Sequence, residues 1–80
     1  MGEKWQGERE SSDQHGLRLV DKQVLFFANK ELGVKATANL MNIRPWRVRQ
    51  IRRRVKEVLG VPLKQDFAHA VLEARKRRII

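Results

Sequence analysis

The stretch from Pro45 to Leu59 constrains this chain more than any other. Val48, Ile51, Val55, Val58 and Leu59 recur three and four residues apart, the spacing of one face of an α-helix. Proline is tolerated at the first helical position and pushes the residue before it, Arg44, out of helical geometry, so the helix starts at Pro45. Gly60, Val61 and Pro62 end it by a glycine C-cap with a following proline, and Val61 is placed to pack back on the last turn. A helix bounded in this way, with one apolar face, must lay that face against other elements.

The neighbouring segments supply them. Val20, Val24 and Phe27, flanked by Leu25, Ala28 and Leu32, predict a first helix over about 19–32, with Asp21 in the first turn and Gly33 as the residue of positive φ that stops it. Val34 to Asn42, with Ala36, Ala38, Leu40 and Met41, predicts a brief second helix, and the turn to the third falls at about Asn42 to Arg44. A last helix over about Gln65 to Arg78 buries Phe67, Ala70, Val71 and Ala74 and ends in Arg75, Lys76, Arg77 and Arg78, a run that reads as a soluble basic end ahead of a second phosphate contact. No segment alternates with period two, so strands are not expected. The fold class is all-α: a four-helix helix-turn-helix domain over 17–80, preceded by a disordered N-terminal arm over 1–16 that carries a solvent-exposed Trp5. At 80 residues a single core is all the chain can hold, and core burial contributes little enough that dimerisation is a live possibility.

Several chemistries are excluded by composition. There is no cysteine, so disulfides, thiolate metal sites and cysteine nucleophiles are absent, and two isolated histidines do not make a metal site. His15 falls in the arm; His69, beside alanines, reads as a surface or interface side chain. Neither a paired carboxylate, a nucleophile with a base, nor a phosphate-cradling glycine loop is present, so no enzyme, cofactor or metal is expected. No apolar run approaches the roughly 20 residues that span a bilayer, and the start lacks a signal-peptide core, so the expectation is no membrane and a cytoplasmic, nucleoid-associated location.

Charge points to the partner. Lysine and arginine number 18 against 9 acids, a net +9. The excess is concentrated: residues 1–16 carry four acids and two bases, residues 17–80 sixteen bases and five acids. Between Arg44 and Lys56 lie seven bases and no acid, a run that repels itself on an isolated helix and is relieved beside a phosphate backbone. On a helical wheel the apolar residues of 45–59 take one side, Trp46, Arg49, Gln50, Arg53 and Glu57 the opposite side, and Arg47, Arg52, Arg54 and Lys56 the edges. Arginine can donate two parallel hydrogen bonds to guanine O6 and N7 or to a phosphate, and glutamine suits adenine N6 and N7. The residues expected to contact double-stranded DNA are therefore Arg44, Trp46, Arg47, Arg49, Gln50, Arg53, Arg54 and Lys56. For Trp46 two placements stand open: against base methyls or sugar in the groove, or folded back on Pro45 and the first helix.

Val24-Leu25, Ala38, Met41, Ile43, Val48, Val55 and the closing Leu59-Gly60-Val61 together resemble, without a gap, the tetrahelical helix-turn-helix of LuxR/GerE-type regulators, to which region four of sigma factors is related. The resemblance covers about 17–74, and Ala70-Val71-Leu72-Glu73-Ala74 looks like that family's dimerising helix. It implies a recognition helix in the major groove, with Arg47, Arg49, Gln50 and Arg53 where base and phosphate contacts lie and Lys35 where a backbone contact is common. It also implies a homodimer through the last helix, by way of Phe67, Ala70, Val71 and Ala74. The sequence departs from the family at Thr37, where an aliphatic is usual, at Arg44 and Arg47, where Ser or Thr are usual, and at Arg52, usually apolar.

Taken together these observations predict a sequence-specific DNA-binding transcriptional regulator. A non-specific nucleoid or RNA-binding protein, for which charge alone suffices, is the alternative of a different class, and a small protein-interaction adaptor is a third.

Overall fold

The computed structural model describes residues 16–80, and the expected disordered arm, with Trp5 and His15, lies almost wholly outside the described residues. Four helices follow in order: α1 over Leu19–Asn29, α2 over Val34–Met41, α3 over Pro45–Leu59 and α4 over Phe67–Lys76. No strand occurs among the described residues. None of these helices is long and apolar enough to cross a membrane.

The core is the meeting of the apolar faces of α1, α3 and α4. Val24 and Leu25 of α1, Ile51, Val55 and Leu59 of α3, and Phe67, Ala70, Val71 and Ala74 of α4 are all buried together with Leu17. Each large side chain so removed from water contributes roughly 1.5–3 kcal/mol, and two alanines on α4 let that helix approach its neighbours closely. Ala38 of α2 and Val48 of α3 are buried as well.

Helix ends follow local chemistry, with one correction. Gly60 adopts φ 77°, as a glycine C-cap requires, and the amides of Gly60 and Val61 donate back to the carbonyls of Glu57 and Lys56. Pro45 opens the same helix after an extended Arg44. The first helix, expected to run to Leu32 and stop on Gly33, instead ends at Asn29. Glu31, not Gly33, takes the left-handed conformation at φ 66°, and the Leu32 amide closes back on the Phe27 carbonyl. Gly33 is extended and serves as the N-cap of α2, its carbonyl accepting from the Thr37 amide. The helix therefore stops three residues early because the chain must already turn at Glu31 to start α2. The last helix is likewise shorter than 65–78: Gln65 belongs to the turn that follows Pro62, and Arg78, at φ 60°, lets the Ile79 amide return to the Ala74 carbonyl.

The four side chains expected to serve a homodimer, Phe67, Ala70, Val71 and Ala74, are all spent on the chain's own core. An apolar helical stripe covers whatever surface is nearest, and here that surface is α1 and α3. Leu72 is the large apolar residue that α4 leaves exposed.

Candidate nucleic-acid interface

The arginine-rich helix divides its cations by direction. Its apolar side faces the core, so residues a quarter-turn away meet neighbouring elements and those opposite meet solvent. Arg44, Trp46, Arg47, Arg49, Gln50 and Arg53 are all exposed, as is Lys35 in the first turn of α2. Trp46 keeps 55% of its surface in water, so it lies outside the core. Lys35, Arg44, Arg47, Arg49 and Arg53 make no ion pair or side-chain hydrogen bond among the described residues. Cations that face water with no partner present their full donor set to whatever docks there.

Arg54 and Lys56, expected in the same interface, have other work. The Arg54 Nε lies 3.6 Å from Asp21 Oδ2, and its terminal nitrogen donates to the Gly16 carbonyl at 3.4 Å. Asp21 is fully buried, with Arg18 as its second partner: the Arg18 amide donates to Oδ2 at 2.8 Å and the guanidinium lies 3.4 Å away. A buried carboxylate is tolerated only when paired and hydrogen-bonded, and Arg54 supplies half of that pairing from across the core. Lys56 donates from Nζ to the Leu63 carbonyl at 3.0 Å and to the Gln65 carbonyl, tying the connection between α3 and α4 to the side of α3. Both side chains brace the fold at the edge of α3.

Two further basic residues also turn inward. Arg52 donates to the Leu32 carbonyl at 3.3 Å and lays its guanidinium 4.7 Å over the Phe67 ring. That explains how an arginine occupies a position where an apolar residue would serve: the stem and the flat guanidinium cover Phe67 while the tip satisfies the end of α1. Burial without a carboxylate holds its pKa below the ordinary arginine range. Arg77, from the basic end of α4, pairs with Glu73 at 2.8 Å and donates to the Leu59 carbonyl at 3.1 Å, satisfying one of the orphan acceptors at the end of α3.

What remains outward on α3 is Trp46, Arg47, Arg49, Gln50, Arg53 and Glu57, on a helix joined to α2 by three residues, Asn42, Ile43 and Arg44. Asn42 takes φ 60°, a left-handed conformation that asparagine accepts more readily than most residues. The one acid of α3, Glu57, lies on the same side, one turn beyond Arg53. Among the described residues no group of three acids or histidines is placed to hold a metal ion. No family model, curated protein or solved structure matches the chain.

Proposed function

We propose that this chain binds double-stranded DNA and reads its sequence with α3 in the major groove, acting as a nucleoid-associated transcriptional regulator in which α2, the three-residue turn and α3 work as a helix-turn-helix. The observation that carries this reading is the exposed, unpartnered set Arg47, Arg49 and Arg53 on one helix, with Arg44 at its N-cap and Gln50 among them. Like charges so close on a helix repel one another, and they are retained against that cost where a polyanion neutralises them.

The dimensions agree with the reading. Fifteen residues make a rod about 22 Å long, and a helix with its side chains, ~10–12 Å across, fits a major groove about 12 Å wide. Arg49 and Arg53, one turn apart, are the candidates for paired bonds to guanine; Gln50 is the candidate for adenine. Trp46, exposed at the start of the helix, offers an apolar face to thymine methyls or sugar. Lys35, Arg44 and Arg47 take the phosphates on either side, where a charge positions the protein without reading sequence.

The test is retention of a randomised pool of duplex DNA at two salt concentrations, followed by sequencing. Enrichment of a motif that survives the higher salt supports the reading. Retention that collapses with salt and enriches nothing refutes sequence recognition and leaves an electrostatic clamp on DNA or RNA.

A further inference from the structure

One side of the outward face borders an open pocket of about 440 Å³. Its cationic wall is Arg49, Arg52, Arg53 and Lys56, and its apolar wall is Val34, Leu63 and Phe67. No acid lines it. The volume lies within the range of about 300–1,000 Å³ typical of small-molecule sites. Three features of this pocket exceed what a duplex backbone would use.

First, the apolar side chains: Leu63 is 43% exposed on the connection between α3 and α4, off the outward face of α3, and a bare phosphate gains nothing from it. Second, Arg52: its Nε is buried with no hydrogen-bond partner, although the guanidinium is anchored over Phe67 and at Leu32. That atom is covered and out of a ligand's reach, but no carboxylate pairs with the guanidinium among the described residues, so an anion in the pocket would supply the charge partner that Arg52 lacks. Third, Lys56 is fixed by its bonds to Leu63 and Gln65, so the pocket's rim is held in place before any ligand arrives. An anion bearing a flat, partly apolar body satisfies all three at once, its charge toward Arg49 and Arg53 and its body between the guanidinium of Arg52 and Leu63.

We propose that this pocket binds a free nucleoside polyphosphate, and that the ligand and DNA exclude one another because both use Arg49 and Arg53. Binding of the nucleotide stands without the DNA reading; the exclusion rests on it. The purified full chain is titrated calorimetrically with ATP, with adenosine and with tripolyphosphate, each at two salt concentrations. The expected result is one saturable site for ATP, with adenosine and tripolyphosphate each bound at least about tenfold more weakly, because each lacks one half of the recognition. Leu63→Ala removes only an exposed side chain, keeps the carbonyl that Lys56 uses, and should weaken ATP about fivefold or more while leaving duplex affinity unchanged. Tripolyphosphate binding as tightly as ATP, or ATP binding without saturation, overturns the proposal, as does an unaltered ATP affinity in Leu63→Ala. In a competition with labelled duplex, ATP should displace the DNA. A duplex that never binds, beside an intact ATP site, sinks the DNA reading and leaves the nucleotide site standing; simultaneous binding of both sinks the exclusion.

Discussion

Replacing Thr37 with valine should make this protein more stable. Thr37 is fully buried in α2, and its hydroxyl oxygen has no hydrogen-bond partner. Threonine in a helix commonly returns its hydroxyl to a carbonyl three or four residues back, beside the amide that carbonyl already accepts; the Thr37 hydroxyl makes no such bond. In the unfolded chain the hydroxyl bonds to water, so folding removes that bond and replaces it with nothing, at a cost of about 1–3 kcal/mol. Valine has the same branching at Cβ and nearly the same shape, with a methyl in place of the hydroxyl. The backbone and χ1 restrictions are then common to both, and the difference is the desolvation of one hydroxyl. A gain of about 1–2 kcal/mol follows, which for a domain of this size raises Tm by roughly 4–16 °C. Thermal unfolding followed by circular dichroism measures it. Thr37→Ser is the companion variant, since it keeps the hydroxyl and deletes the methyl, and should lose about 1 kcal/mol. An unchanged or lower Tm in Thr37→Val would mean that the hydroxyl is satisfied in solution and that the argument from its isolation is wrong.

The cations of α3 should separate by assay: Arg49→Ala and Arg53→Ala should each cost about 1–3 kcal/mol of specific duplex binding at unchanged Tm. Arg54→Ala and Lys56→Ala should instead lower stability, by about 1–2 kcal/mol and about 0.5–1.5 kcal/mol, with duplex affinity within about twofold of the parent in gel-shift titrations. Asp21→Asn should destabilise by ~3 kcal/mol in urea unfolding, at the low end for a buried ion pair because both arginines retain water contact. Gly60→Ala forces a Cβ into φ 77°, although nothing lies within 4 Å of that position, and should cost about 1–2 kcal/mol from backbone strain without any clash. A loss much larger than that would show that the space at Gly60 is not open.

The parts of the fold that could be read from the chain are those decided within a few residues. Pro45 and Gly60 mark both ends of α3 because proline and glycine act on the backbone at their own positions. The end of α1 is not legible for the complementary reason: glycine permits positive φ but does not demand it, and the turn falls on Glu31, with the Leu32 amide closing on the Phe27 carbonyl and Gly33 left to cap α2. The apolar periodicity of α4 was visible, yet periodicity says only that a face is covered, and the covering surface proved to be α1 and α3. Charge partners were the least legible. Arg54 meets Gly16 from 38 residues away and Arg77 meets Leu59 from 18, separations that no local pattern records. Asp21 read as a favourable acid in a helix's first turn; its burial against Arg54, beside its local partner Arg18, appears only once α3 is laid across α1.

That crossing also explains how so basic a helix is held in place. A run of seven cations would resist helix formation if all of them faced one another on the surface. Arg52 and Arg54 are engaged on opposite edges of α3, one by an aromatic ring and a carbonyl, the other by a buried carboxylate, and Lys56 is engaged by the connection to α4. Each of these fixes the rotation of α3 about its own axis, and so fixes which direction Arg49, Gln50 and Arg53 point. Recognition of a base edge needs its donors held to within a fraction of an ångström, which a helix free to roll could not provide. On the proposed reading the braced arginines serve the outward ones: removing the former should loosen the fold, and removing the latter should leave a stable domain that has lost its duplex affinity.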